Sequence, residues 1–253
     1  MFPIKTWTDY LLLIGTRYLL LAGIAFVVWY VIRKNKVAYK KIQLKFPTQK
    51  DYQREIVFSV ITTSIFATVG YCLLSKSMPI RQHTLMYSDT NRYGMWWFYL
   101  AFPVMLILHD AYFYFTHRLM HHPALFKIFH LLHHKSTNPS PWAAFAFHPL
   151  EALVEVGIVP LIVFTIPITP WHFFFFFLFQ MVYNVYGHLG WELYPKGFQK
   201  TMIGKWINTS VCHNQHHQYF KGNYGLYFLW WDRWLGTIRT DYNTKFDEVS
   251  KRK

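Results

Sequence analysis

Five long apolar stretches decide what this 253-residue chain can fold into. The first runs from Leu11 to Ile32 and the second from Ile56 to Leu74. The third, Met95 to Leu108, continues into a polar, histidine-bearing segment with no Gly or Pro break after Pro103. Two more, Leu150 to Ile166 and Trp171 to Tyr186, are separated by Pro167, Ile168, Thr169 and Pro170, which is the pattern of a helical hairpin with prolines at its tip. Runs of roughly 18 apolar residues with few charges are long enough to cross a bilayer. Five buried helices in a soluble core of this size would leave too little polar sequence to cover them. The chain is therefore expected to be a helical membrane protein forming one compact unit.

The charge distribution orients the spans. Lys and Arg number 26 against 12 Asp and Glu, a formal net charge of +14. That excess does not mark a nucleic-acid surface, because it lies beside the apolar runs. Arg33, Lys34, Lys36, Lys40, Lys41, Lys45, Lys50 and Arg54 all fall between the first two spans. Such a loop is held on the cytoplasmic side and suits anionic headgroups there. The amino terminus is then outside, as is the loop from Ser75 to Tyr93. The third span returns to the cytoplasm, the hairpin dips out and back, and the carboxyl tail, with Lys245, Lys251, Arg252 and Lys253, ends inside. No small-residue cleavage pattern follows the first run, so it is expected to stay attached. Cys72 and Cys212 alone do not suggest a disulfide framework. The Phe173 to Phe177 run is the surface of a packed or lipid-facing helix.

Fourteen histidines are present, and eight form three tight groups. His117 and His121 read HxxxH; His130, His133 and His134 read HxxHH; His213, His216 and His217 repeat HxxHH. Residues three and four apart share one helix face, with Cβ atoms roughly 5 to 6 Å apart, so each group is expected to present two or three imidazoles in one direction. Eight such rings repel one another if protonated and are costly to bury unpaired. A bound transition-metal ion removes both problems. The positive-inside assignment puts all three groups on one side of the membrane, with His148 and His188 beside them. His109 lies about 80° round the helix from His117 and roughly two turns deeper. His109, His148 and His188 are candidate extra ligands or groups that orient ligands, His188 being the best placed. Three groups with His188 exceed the positions round one ion, so two metals are expected. All-nitrogen ligation suits Fe, Zn, Cu or Ni. His83 and His172 read as hydrogen-bonded or interfacial residues.

The stretch HDAYFYFTHRLMHHPALFKIFHLLHH from His109 to His134 resembles the signature of the fatty acid hydroxylase and sterol desaturase superfamily. FHPLE at Phe147 to Glu151, HLGWE at His188 to Glu192 and HNQHHQYFKGNYGLYFLWWDRWLGT from His213 to Thr237 continue the likeness, which covers about residues 95 to 240. The resemblance implies an all-α membrane bundle of about four to five spans, hairpin included, under a histidine-rich cytoplasmic cap. It implies two Fe ions held by His117, His121, His130, His133, His134, His213, His216 and His217 as the catalytic centre, with His188 a further ligand; zinc can replace iron on overproduction. His109 with Asp110, and His148 with Glu151, fall on family positions near the site, where a carboxylate can orient an imidazole through its other nitrogen. Glu192 stands where some members have another histidine. Asp232 is expected to fix a turn or pair with Arg233 or a histidine.

The implied activity is O₂-dependent hydroxylation or desaturation of a lipid, sterol or fatty-acyl in type. Removing hydrogen from an alkyl chain is beyond any side-chain acid or base, so a redox metal must supply the oxidant. The chain divides into 1–94, membrane spans and basic loop; 95–240, the catalytic region; and 241–253, a basic tail. Some fatty acid 2-hydroxylases carry a fused haem-binding cytochrome module, which is not expected here. No nucleotide-binding glycine fingerprint is visible, so electrons are expected from a separate reductase, ferredoxin or cytochrome, an acidic one suiting the basic face. Two other classes stay open. A zinc-dependent membrane hydrolase needs a general base such as Glu192 or Glu151, since no HExxH occurs. A metal transporter places its ligands within the spans.

Overall fold

The computed structural model describes residues 5–252; residues 1–4 and Lys253, one of the basic residues of the tail, lie outside them. Two helices begin with the same device. In α1, Trp7–Phe26, the Thr6 hydroxyl accepts from the Asp9 backbone N–H while the Asp9 carboxylate accepts from the Thr6 N–H. In α2, Gln49–Leu74, Thr48 and Asp51 repeat this reciprocal cap. Such a cap satisfies donors that the first turn leaves free. It starts α2 seven residues before the apolar run at Ile56, so the second span is longer than hydropathy alone suggests. Below α1 the coil widens into a π-helical turn over Val27–Ile32. Helix α3, Gly94–Met120, runs unbroken through Pro103 into the histidine-bearing segment. These three helices, counting the π turn with α1, are each 26 or 27 residues long and apolar enough to cross a membrane.

The expected hairpin forms, but its first arm is two helices, α6 (Pro149–Val156) and α7 (Ile158–Thr165). Gly157 marks the break. A Cβ there would lie 2.3 Å from the Tyr112 hydroxyl, which donates to the Val154 carbonyl at 2.6 Å. The second arm is α8, Pro170–Gly187. The proline tip is fixed by the Trp97 indole N–H, which donates to the Pro167 carbonyl. His172 accepts from the Thr169 N–H and donates to the Phe98 carbonyl, a packing role of the kind expected for it.

Helices α1 and α2 pack along each other and against α8, α6 and a 3₁₀ turn over Pro141–Phe145. Ala22 and Ala25 of α1 share a core with Ala144, Phe145 and Met181; small residues at such crossings let membrane helices approach closely. A second core joins Ala101 and Met105 of α3 to Ile162 and Phe176. The outward faces carry Leu19, Leu20, Ile24, Val57 and Val60, all exposed, as lipid contact requires. At the charged end lie the short helices α4 (Pro123–Phe129), α5 (Leu131–His134), α9 (Ser210–Tyr219) and α10 (Trp230–Trp234). The segment read as a basic tail is an amphipathic helix, α11 (Tyr242–Lys251), whose Tyr242, Phe246 and Val249 bury against Ile42, Val211 and Leu229. Among the described residues there is no strand, only isolated bridges.

Candidate metal centre

Four structural units bring the histidines together. His117 and His121 occupy the last turn of α3, and His130, His133 and His134 lie in and before α5. His188 ends α8, while His213, His216 and His217 sit on α9. Nine imidazoles form two sets. His117, His121, His130, His134 and His216 make one, and His133, His188, His213 and His217 the other, with ligand atoms in each set within 4.8 Å of one another. Each group presents two imidazoles in one direction, as its spacing leads one to expect. Each HxxHH sends an i,i+4 pair to one set and its remaining histidine to the other, because neighbouring residues on a helix are about 100° apart. His130 and His134 thus join the first set and His133 the second; His213 and His217 join the second and His216 the first.

Within each set the Nε2 atoms face one another. In the first, His117 lies 2.9 Å from His130, and His121 lies 3.1 Å from both His134 and His216. In the second, His188 lies 3.3 Å from His133, 3.1 Å from His213 and 3.2 Å from His217. Six of the Nδ1 atoms point outward to oxygen, while that of His134 is buried with no hydrogen-bond partner. Those of His117, His188, His216 and His217 donate to the carbonyls of Tyr224, Asn184, Gly222 and Ser136 at 2.8 to 3.0 Å, and that of His133 to Ala146 at 3.4 Å. His130 donates to Glu151 Oε1 at 2.6 Å. A carbonyl or carboxylate oxygen only accepts, so each of these six Nδ1 atoms carries the proton and leaves a bare Nε2 lone pair facing its neighbours.

Converging lone pairs repel unless a cation lies between them. The separations of about 3 Å match the edges of a coordination shell with nitrogens about 2.0 to 2.1 Å from a first-row ion. The electrostatics agree. Eight of the nine imidazoles are buried and His121 is partly so. Burial first, then the nearby imidazoles, hold His130, His134, His213, His216 and His217 well below the ordinary histidine range, and burial brings His188 to about 4. Rings kept neutral with fixed tautomers are ready-made ligands. The residues present therefore fit two all-nitrogen metal sites.

The remaining candidates fall around the sets rather than in them. Glu151 orients an imidazole, but that of His130 and not His148. The His148 Nδ1 accepts from the Leu150 N–H and caps α6. His109 shares a hydrogen bond with the Tyr227 hydroxyl, and Asp110 accepts from the Tyr227 and Phe228 N–H groups. Glu192 braces α9: its carboxylate accepts from Tyr186 Oη and from the Tyr194 and Val211 N–H groups. Asp232 fixes the turn after α9, accepting from Tyr224, Gly225 and Thr237. Sequence reasoning missed the carbonyl acceptors, since a backbone group carries no residue signature.

A mostly apolar cavity of about 630 Å³ runs through the bundle beside the two sets. Its inner end is closed by Phe113 and Phe147. The Phe113 ring centroid is 4.8 Å from that of His117, and Phe147 is 5.1 Å from His133, so one phenylalanine ring separates the cavity from a histidine of each set.

A membrane-helix bundle with paired polyhistidine sites at one end defines the class of protein. The family model described as fatty acid hydroxylase matches residues 102–237, more than half of the chain, and the chain belongs to that family. Three relatives illustrate the likeness. The Delta(7)-sterol 5(6)-desaturase ERG3B of Gibberella zeae is 29% identical over 87% of this chain and 68% of its own length. The Delta(7)-sterol 5(6)-desaturase of Leptosphaeria maculans is 31% identical over 93% of this chain and 60% of its own length. The lathosterol oxidase of Mus musculus is 30% identical over 74% and 60%. The chain thus spans 60 to 68% of the length of these relatives. No solved structure matches it.

Proposed function

We propose that the chain is a membrane-bound non-haem di-iron oxidoreductase that desaturates or hydroxylates a lipid of sterol or fatty-acyl type, using O₂ and electrons from a separate donor. The observation that carries this reading is the pair of inward-facing Nε2 sets just behind the Phe113 and Phe147 wall of an apolar cavity. One ion is assigned to His117, His121, His130, His134 and His216, the other to His133, His188, His213 and His217; zinc can occupy both after overproduction. When bound, the irons supply the O₂-derived oxidant that side-chain acids and bases lack. Relatives named as sterol desaturases and a lathosterol oxidase support a lipid substrate.

The protein's part is positioning. The outward Nδ1 bonds hold six of the imidazoles in one tautomer, and Glu151 adds charge behind His130. Phe113 and Phe147 present apolar walls where a lipid carbon meets the site and keep bulk water away from it. Desaturation balances when two C–H hydrogens and two external electrons, with two further protons, reduce O₂ to two waters. Hydroxylation inserts one oxygen and reduces the other to water. The two carboxylates that a hydrolase needs as general base are otherwise engaged, Glu151 with His130 and Glu192 in bracing α9. The sets also lie at helix ends rather than along the spans, which weighs against transport.

By charge distribution the histidine end and carboxyl terminus are cytoplasmic. Around it Lys127, Lys135 and Lys221 are exposed, and the partly exposed Phe220 ring lies 5.0 Å from His134. An acidic reductase, ferredoxin or cytochrome docking there fits, with rates that fall as ionic strength rises. The test is metal content with O₂ uptake on detergent-purified protein from iron-supplemented cells, beside a His133→Ala, His216→Ala double variant. About two irons per chain, lost in the variant, with reductant-dependent O₂ uptake, are expected. Metal retained by the variant and no O₂ uptake after iron is restored would overturn the reading.

A further inference from the structure

The cavity has two chemically different ends. Asn184, one turn before His188, lines its histidine end, and Pro170, at the start of α8, lines the other. Fourteen residues of helix separate them, about 21 Å. That exceeds half of a hydrocarbon core about 30 Å thick, so the cavity is long enough to hold one acyl chain of a lipid seated in the leaflet away from the histidines.

The far end is basic. Lys5, Lys76 and Arg81 line its mouth, and Arg17 reaches into it from α1. Arg17 starts about 15 Å along that helix, yet its guanidinium lies 5.2 Å from the Phe174 ring centroid, only one turn from the far end of α8. The side chain therefore points outward along α1, the direction in which helical side chains lean and in which a long cation snorkels. Among the described residues none of these four cations forms an ion pair. The Arg81 Nε is also buried without a hydrogen-bond partner. Among the described residues Glu155 is the one acidic residue on the cavity wall. Four cations at the end of an apolar channel are uneconomical for a neutral sterol hydroxyl, which a single hydrogen bond satisfies. They match a phosphate or carboxylate.

We propose that this cavity binds an anionic single-chain or acyl lipid head-outward, its phosphate or carboxylate held by Arg17, Lys76 and Arg81 and its chain running along α8 to Phe113 and Phe147. The site narrows the substrate to an anionic amphiphile oxidised far from its headgroup. Naming that chain end as the reacting end rests on the oxygenase reading; the headgroup site does not. Binding is therefore tested without turnover, on metal-depleted and metal-loaded protein in detergent, with the fluorescent carboxylate cis-parinaric acid as probe. Saturable binding is expected, displaced by oleate but not by oleyl alcohol, cholesterol or inorganic phosphate. Arg17→Met and the mouth variant Lys76→Ala, Arg81→Gln each weaken it about ten-fold, since a hydrogen bond to a charged group is worth at least about that much, whereas Arg17→Lys retains most of it. Because Arg17→Met can disturb the bundle, the mouth variant gives an independent reading. Equal displacement by cholesterol or oleyl alcohol, displacement by phosphate alone, or unchanged affinity in the mouth variant would overturn the proposal. Arginine-dependent probe binding by a protein that takes up no O₂ would leave this site standing and sink the oxygenase instead.

Discussion

Among the groups behind the nine imidazoles, Glu151 differs from the rest. Five of the outward Nδ1 atoms donate to neutral carbonyls, while that of His130 donates to a fully buried carboxylate at 2.6 Å. A carboxylate partner makes an imidazole a stronger ligand than a carbonyl does, and such partners change metal affinity 10- to 100-fold. Glu151→Gln keeps the hydrogen bond and removes the charge. The variant is expected to fold normally by circular dichroism and to lose the ion of the first set about 10- to 100-fold more readily in a chelator titration. The second set, which Glu151 does not touch, should keep its ion. Simultaneous loss of both would show that the carboxylate acts on the fold and not on one site.

At the scale of elements, the basic segment joining α1 to α2 is more than a charge signal. Lys41 is 2% exposed, and its ammonium lies 4.7 Å from the Trp191 ring, 4.8 Å from Phe46 and 5.8 Å from Tyr30, with no hydrogen-bond partner. The aromatic box ties the segment to the loop after α8, where the Ile42 N–H donates to the Gly190 carbonyl. Burial lowers the ammonium from 10.5 to about 8. The folded state thus binds this proton less tightly than the unfolded one. Stability is reduced at pH 7 and recovered as pH rises from about 8 through 10.5. Cation–π contacts offset part of that loss. Lys41→Met should therefore raise stability by about 1 to 2 kcal/mol at pH 7 and by less at pH 10, read from thermal melts at the two pH values. A variant less stable at both would mean that the ring contacts outweigh the desolvation.

For the whole molecule, the two histidine sets join elements that otherwise make few contacts. Helices α3, α5 and α9 and the end of α8 meet at them, whereas α1 and α2 are held by their own apolar packing. A ligand that binds only the folded state stabilises it by about 2.7 kcal/mol at 100 times its dissociation constant. Removal of metal should lower the melting temperature and raise amide exchange across 130–134 and 210–219, leaving α1 and α2 protected. Uniform exchange over the chain, with or without metal, would place the stabilising contacts elsewhere.

The long helices and the eight clustered histidines were legible in the sequence because they depend on local order. Apolar run length sets a span, and HxxxH puts two rings on one helix face. The histidines' division into five and four was not legible, because it depends on how α5 and α9 turn their faces relative to α3. Nor was the partner of Glu151, since His148 is nearer in sequence but is used to cap α6, and His130 arrives only through the α4–α5 bend. The break at Gly157 needed Tyr112 from another helix, and the cationic end of the cavity needed Lys5, Arg17, Lys76 and Arg81 gathered from three separate segments. The sequence by itself determined which residue types were available and their spacing along each helix. Which lone pairs, carboxylates and cations share a space was decided only by tertiary packing, because facing across a gap is a relation between helices that no periodicity within one of them records.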